Sequence, residues 1–523
     1  MSPQARQLLD TGLENELILD ILSYSGGENT VSEDHIAESN EARIVKNWDA
    51  LSLGGMTRTK GFNRVASGAT AAGALGATAS SLGHFHYKDS DGTSHLLAAF
   101  GTKLYRKSSA NLILVTGGVF TSGELHHATD GSDDAWITSL TDNLRRYTIT
   151  GGLVTPASQP TAARERIYRH KNRLIAEGGG AVVYGSRAGV GNWTAANAWS
   201  LANDAWNITL PNVTKGAVPN FPSGDEILVF TEFGAYALHS FPNVGFRPLS
   251  IIRGCSAPYS IALGDEGVYF LSRFPTLGVY LYDGVKFTEL TAPNKDAFVD
   301  KINFSGRIHG IYRDRKYHIF YNEKNSGVSY QNRWRTFDAK FGRWMEREVN
   351  SGVSDNFGIP LLLTKQSNEL YSFSSRKTKL YELETEDNSD EGQNTEADYK
   401  TKNFTSRDFG SKIDDLLMKL LKVTTTYYGT TGTITLQWTA DEGKYSGSMT
   451  FDLSAGGDLI NTTLTVNSSN IVSTDSIANR VVTKYFSNGA IGRRFNFQVL
   501  NNGTSTRPKV KKIKIYAEAL SDL

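Results

Sequence analysis

The chain has 523 residues, 39% of them hydrophobic and 21% charged, with 50 glycines against 13 prolines; this excludes a disordered chain, collagen and a proline-rich linker. Its 55 basic and 54 acidic residues leave a formal net charge of +1, without the basic excess with which a dedicated nucleic-acid binder neutralises phosphate. The one cysteine, Cys255, excludes an intramolecular disulfide and a cysteine-rich zinc site, and fits folding in a reducing compartment.

Met1 to Ser25 holds a short apolar stretch (Leu17, Ile18, Leu19, Ile21, Leu22) with no basic leader beyond Arg6, so no secretion signal is expected. Nowhere does an apolar run approach the ~18 residues of a membrane span. Ser39-Asn40-Glu41 reads as the cap of a short helix running through Trp48. Gly54-Gly55 marks a turn, and Gly68 to Ser81, almost wholly Gly, Ala, Ser and Thr, reads as a low-complexity loop or extended arm. Residues 1–80 are therefore expected to form an N-terminal arm and docking segment.

From there strand signals dominate, with short runs of Val, Ile, Tyr, Phe and Thr between Gly, Asn and Asp. Hairpins are predicted over His95–Arg106, Ala135–Tyr147, Arg166–Ala176, Ile227–Leu238, Ser260–Leu271 with Val279–Phe287, Ile308–Tyr321 and Leu361–Phe373. Asp283-Gly284 is the strongest turn signal among them. Seven hairpin centres between residues 95 and 385 map onto about six four-stranded blades of a β-propeller, each needing roughly 40–50 residues. One such sheet cannot bury both faces alone, whereas a closed ring can, and closure protects its edges. The propeller is expected over 81–385. Glu384, Glu386, Asp387, Asp390, Glu391, Glu396 and Asp398 then make an acidic linker over 386–400.

Beyond it, Thr433 to Thr439, Met449-x-Phe451-x-Leu453, Leu464-x-Val466, Phe495-x-Phe497-x-Val499 and Lys512 to Ile515 alternate polar and apolar. Period two with one wet face predicts an antiparallel β-sandwich over 401–523. Ile413, Leu416, Leu417, Leu420 and Leu421 sit instead at helical spacing; a strand from about Leu420 to Tyr427 is favoured there. The fold class is thus all-β: an N-terminal arm, a β-propeller and a C-terminal antiparallel β-sandwich.

Candidate chemistry is sparse. His84 and His86 share a strand face, with His95, His126 and His127 downstream; imidazole pairs suit zinc, but exposed strand histidines are the default. Asp387 to Gly392 with Asp398 at position 12 partly fits a calcium loop, against a solvated acidic loop. Asp133-Asp134, Asp265-Glu266 and Glu346 could supply a glycosidase pair, though the first two read as turn formers. Asp130-Gly131-Ser132-Asp133-Asp134-Ala135-Trp136 holds the residue types of a sialidase turn in the wrong order. Gly178-Gly179-Gly180 and Gly185 to Gly191 lack the Gly-Lys-Ser/Thr of a phosphate loop. No cofactor or metal is assigned, and no enzymatic activity is expected. Arg164, Arg166, Arg169, Lys171 and Arg173, with His170 and Tyr168 among them, form a local basic cluster and are the candidate DNA contacts. Two further clusters are Arg313, Arg315 and Lys316, and Arg333, Arg335 and Arg343 beside Trp334 and Trp344.

Gly26-Gly27-Glu28-Asn29, Asn47-Trp48-Asp49 and Gly54-x-x-x-Arg58-x-x-Gly61-Phe62 together resemble the opening of tailed-bacteriophage virion proteins: tail hub proteins that stabilise packaged DNA, and tail nozzle proteins. Where that family has Arg-Pro-Gly, this chain has Arg58-Thr59-Lys60-Gly61. The resemblance implies a propeller followed by a sandwich. It also implies a structural tail protein of the virion, made in bacterial cytoplasm. Its homo-oligomeric ring, of six copies by that resemblance, would surround the DNA-ejection channel, touch genomic DNA transiently and contact adaptor and fibre proteins. Gly26, Gly27, Asn29, Asn47, Gly54, Arg58, Gly61 and Phe62 would set turns and contacts. Two rival expectations are a virion-borne glycan- or receptor-binding propeller, with Trp193, Trp199 and Trp206 as an aromatic platform, and a polysaccharide hydrolase.

Overall fold

A computed structural model describes residues 16–21, 27–30, 41–50, 55–60, 62–68, 81–108, 111–121, 124–129, 133–139, 141–160, 164–239, 243–325, 333–347, 362–366, 369–373, 379–383, 396–428, 432–453, 458–459, 479–486, 490–501 and 508–520. The chain is all-β and divides into two compact units. One comprises Phe62–Ala339 with Ser351–Thr385, and the other Met1–Gly61, Lys340–Asn350 and Glu386–Leu523.

Over the described residues the first unit is a β-propeller of seven leaves, where the hairpin spacing suggested about six. Each predicted hairpin belongs to a different leaf. Four leaves are antiparallel sheets of four consecutive strands, opening with His126–Thr129, Arg166–His170, Thr214–Pro219 and Ala262–Leu263. A further leaf opens at Ser81–Lys88 and ends at Asn111–Val119. The sixth contributes His309–Arg313, Lys316–Tyr321 and Arg333–Asp338 to this unit. The seventh has only three strands of its own, Leu362–Gln366, Glu369–Phe373 and Lys379–Leu383. Its fourth is Phe62–Gly68, which pairs antiparallel with Lys379–Leu383. Part of the expected N-terminal arm is therefore a propeller strand. The opening strands of successive leaves are neighbours around the ring, and Leu362–Gln366 lies against Ser81–Lys88, which closes it.

Closure explains why the second strands are apolar on both sides. In Ser94–Phe100, Leu97 and Ala99 pack with Ile137 and Tyr147 of the second leaf, while Leu96, Ala98 and Phe100 pack with Tyr371 of the seventh. In Glu226–Thr231 every residue is buried. Ile227 and Val229 face the third leaf, Leu228 and Phe230 the fifth. A strand covered on both faces needs a continuous hydrophobic run, not alternation.

The second unit is a β-sandwich. One sheet runs Tyr445–Asp452, Thr433–Ala440, Phe495–Asn501, Ala397–Thr401, Glu41–Lys46. The other holds Asn479–Tyr485, Met418–Tyr428 and Lys509–Ala519, extended by Glu16–Ile21 and by Met56–Arg58 with Trp48–Ala50. The described N-terminal strands, expected as part of a separate arm, thus belong to the sandwich. Trp48, Ile434, Leu436, Phe451, Phe495, Phe497, Val499, Ile513 and Ile515 lie in its core.

The predicted helix from Ser39 to Trp48 is instead the strand Glu41–Lys46. Ala42 and Val45, three residues apart, are both buried because the register slips by one residue between Ala42 and Ile44. A β-bulge of this kind imitates helical spacing. The Leu416–Leu421 ambiguity resolves as a strand beginning at Met418. Gly54-Gly55, read as a turn, keeps Gly55 at φ 87, where a Cβ would meet the Val510 carbonyl at 2.2 Å. The segment 69–80, most of the acidic linker (384–395) and the calcium-like loop Asp387 to Gly392 lie outside the described residues.

Candidate functional site

The antiparallel order of each leaf fixes two faces of the propeller. The turn between second and third strands and the connection into the next leaf emerge on one face, and the remaining turns emerge on the other. Two features meet the first face: a buried polar cluster near the axis and an exposed apolar patch over the fourth and fifth leaves.

The polar cluster comes from the opening strands and the connections entering them. Arg166 Nε donates to Glu177 Oε1 at 2.5 Å, and its Nη1 lies 2.7 Å from Glu165 Oε1. Tyr168 donates its hydroxyl to Glu177 at 3.2 Å and accepts the Ala217 N–H at 3.1 Å. Glu124 Oε1 sits 2.9 Å from Arg307 Nε and 3.4 Å from His309 Nε2. Burial opposes ionisation of Glu124, but His309 and Arg307 outweigh it and hold the carboxyl below its usual range. Burial likewise pushes His126 and His127 down to about 3, aided by the Arg166 charge at His126 and by neighbouring imidazoles at His127. His126 accepts the Ile167 N–H on Nδ1, and its ring lies 4.8 Å from Tyr168. His127 stacks on Phe85 at 4.6 Å. These imidazoles are packing and acceptor groups. Among the described residues no three His, Cys, Asp or Glu side chains are placed to hold a metal. His95 stands apart, paired with Asp89 at 2.9 Å in its own hairpin.

The apolar patch is formed by Phe233, Ile251, Ile252 and Phe274. Phe233 lies in the turn after Glu226–Thr231 and Phe274 in the turn after Val268–Ser272. Their rings pack edge to face at 4.9 Å. Ile251 and Ile252 lie in the connection from the fourth leaf to the fifth. Gly254 pins that connection to the Phe233 turn, since a Cβ there would meet the Thr231 carbonyl at 2.2 Å. The Cys255 N–H also donates to Thr231 O, and the Arg273 N–H to Ser256 Oγ. Ile251 is 71% exposed, Ile252 62%, Phe233 40% and Phe274 39%. Single exposed apolar side chains are ordinary, whereas four on adjoining turns of one face make a candidate contact surface.

The residues singled out from sequence fall elsewhere. Arg164 is buried, lies over the Tyr184 ring and donates to Gly178 O. Arg166 is buried in its glutamate pairs. Arg173 is buried and donates to Ser186 O and to Asp204. Lys171 pairs with Asp225 on the surface, and exposed Arg169 donates to Lys171 O. The five therefore form no continuous basic face, because three of them satisfy buried acceptors inside one leaf.

The opening-motif residues serve the sandwich. Asn29 Nδ2 donates to Glu41 and its carbonyl accepts from Arg43. Asn47, at φ 55, donates Nδ2 to Glu396 O at 2.7 Å. Arg58 is buried and donates to Asn501 Oδ1. Gly27 lies in a two-residue strand paired with Glu41, and Phe62 opens the strand that completes the seventh leaf. Gly26, Gly54 and Gly61 lie outside the described residues. Trp193 and Trp206 are buried, the former edge-on to Trp136 at 6.3 Å, so no aromatic platform forms. The paired acids are separated: Asp133 accepts from Ser90, Glu266 from Tyr269 and Tyr312, and Glu346 belongs to the sandwich unit. No sequence motif points to the apolar patch. Its one signal was Ile251-Ile252, an apolar pair standing outside any hairpin.

No family model and no curated protein matches the chain. Solved structures similar to it include the Cps50 (Swd1) β-propeller domain of Myceliophteria thermophila, at 9% identity and a TM-score of 0.38 over 62% of this chain and 99% of that one. U3-55K matches at 8% and 0.39, over 62% of this chain and 98% of that one. The RRP9 WD40 repeats match at 8% and 0.39, over 63% and 99%. The likeness concerns the propeller fold alone. It corrects the expectation of a phage-tail nozzle or hub protein forming a ring around DNA: these neighbours are propeller domains of other proteins, and none is a tail protein. No helix among the described residues is long and apolar enough to cross a membrane.

Proposed function

We propose that the chain is a non-enzymatic binding scaffold whose propeller holds a protein partner on the face carrying Phe233, Ile251, Ile252 and Phe274. The single observation behind this is the exposure of those four side chains on adjoining turns that are pinned to one another through Gly254 and Cys255. Placing adaptable surface turns on a rigid scaffold is how binding surfaces are commonly built. The polar cluster near the axis supports the same role without chemistry of its own, since its carboxylates are engaged by arginine, histidine and tyrosine groups and its imidazoles at His126 and His127 are held neutral.

The test is capture from a lysate of the source cell with the full chain, compared with Ile251→Ser/Ile252→Ser. The scaffold role predicts a discrete partner bound by the wild type, retained by a control substitution at Tyr445 in the sandwich and lost from the double variant. An identical set of captured proteins for all three would contradict it.

A further inference from the structure

Resting on that face as a binding surface, we infer that its occupant is an acidic peptide segment carrying aliphatic or aromatic side chains beside carboxylates. Two arginines border the patch. Arg253 follows Ile252 directly and lies with its guanidinium 4.2 Å from the centroid of the Tyr280 ring. Arg273 precedes Phe274 and lies 4.9 Å from the centroid of Phe304. Neither has a carboxylate within ion-pair distance among the described residues. Stacking on aromatic rings fixes a guanidinium while leaving its in-plane N–H groups free to donate. The only acid on the patch turns themselves is Glu232, next to Phe233; Glu289 lies at the hydroxyl of the Tyr280 ring, accepting from it at 3.3 Å, so on the turns the two arginines outnumber the acid. Elsewhere in the propeller Arg164 also lies over an aromatic ring, that of Tyr184, but it is buried, and several other arginines are paired. Arg166, Arg173, Arg247, Arg307 and Arg333 each lie within ion-pair distance of a carboxylate. Two arginines held in place without an acid, flanking four exposed apolar side chains, match a ligand that supplies both carboxylates and apolar side chains. Arg guanidinium binds carboxylate with two parallel hydrogen bonds, which adds orientation to the apolar contact. Nucleic acid fits less well, since an apolar floor offers nothing to phosphate. A membrane surface fits less well too. Only Ile251 and Ile252 among the four are mostly exposed, while the two Phe rings pack against each other.

The experiment uses the full chain and fluorescence anisotropy with two synthetic peptide pools. In one, Asp and Glu are mixed with Leu, Ile and Phe; in the other, Lys replaces every acid. Vesicles of phosphatidylcholine and phosphatidylserine form a third arm. The inference predicts binding of the acidic pool, at least tenfold weaker binding of the basic pool, and no vesicle capture. Arg253→Gln/Arg273→Gln should weaken the acidic pool tenfold or more while leaving the thermal transition unchanged. Ile251→Ser/Ile252→Ser should weaken both pools. Equal binding of the two pools, or acidic-pool binding indifferent to the arginines but lost in the isoleucine variant, overturns the peptide chemistry and leaves the binding face standing. Binding indifferent to the isoleucines overturns the face itself. Vesicle capture without peptide binding, or no binding in any arm, overturns the inference.

Discussion

Arg166 and Glu177 face each other across the first two strands of the third leaf, 2.5 Å apart and both essentially without solvent exposure. Taking two charges out of water is costly, and close approach recovers the cost only while both partners are present. Glu177→Gln strands a buried guanidinium whose remaining carboxylate partner is Glu165, and should destabilise the propeller by about 3 kcal/mol. Arg166→Met/Glu177→Leu, which removes both charges, should lose less than half as much. Denaturant midpoints of the three proteins check this.

Gly55 and Gly92 separate two reasons for a glycine. Both have positive φ, at 87° and 79°. Only Gly55 has a backbone carbonyl, that of Val510, where a Cβ would go; Gly92 faces open space. Gly92→Ala should cost about 1 kcal/mol from the left-handed backbone alone. Gly55→Ala should cost at least about 2 kcal/mol more, because strands must move apart. Thermal unfolding of the two variants reads the difference.

His126 and His127 make the propeller acid-sensitive. Burial holds both near a pKa of about 3, against about 6.5 in an unfolded chain. Between those values the unfolded chain binds protons that the native state refuses. Their contribution is therefore complete above pH ~6.5 and is lost as pH falls towards 3, by up to about 1.4 kcal/mol per pH unit for each ring. The depressed Glu124 carboxyl acts in the same direction, its stabilisation fading as pH falls through its folded pKa. The unfolding midpoint should decline from pH 6.5 to 4.5, and His127→Phe, which keeps a ring against Phe85, should flatten that decline. An unchanged slope would contradict the assignment.

Cys255 should be silent in the native protein. Burial pushes its thiol up to about 12, and its Sγ donates to the Ala257 carbonyl. The thiolate, which is the reactive form, is then scarcely populated. A maleimide probe should label the chain only as fast as the fourth and fifth leaves open, and completely in denaturant.

Much of the fold could be read from single residues. Asp283-Gly284 does form its turn, with Val285 and Lys286 donating N–H to Asp283 Oδ1. The alternation at Phe495, Phe497 and Val499 does mark a half-buried sandwich strand. Two kinds of information were hidden. Strand Phe62–Gly68 pairs with residues more than 300 positions away, and no local pattern encodes such a partner. The bulge at Arg43 turned a strand into apparent helical spacing, since Ala42 and Val45 both point inward across it. The internal pairing of the charged cluster from Arg164 to Arg173 was hidden for a related reason. Composition shows a run of cations but not that Glu177, Asp204 and Gly178 lie opposite to receive them. The apolar patch was illegible because Phe233, Ile251 and Phe274 are joined only by the folding of neighbouring leaves.

The claim that one face of the propeller receives a partner is tested most directly by hydrogen exchange of the full chain with and without saturating partner peptide. Slowed exchange is predicted at 232–234, 251–254 and 273–276, with the sandwich edge Tyr445–Asp452 unchanged. Protection confined to other turns, or to the sandwich, would contradict it.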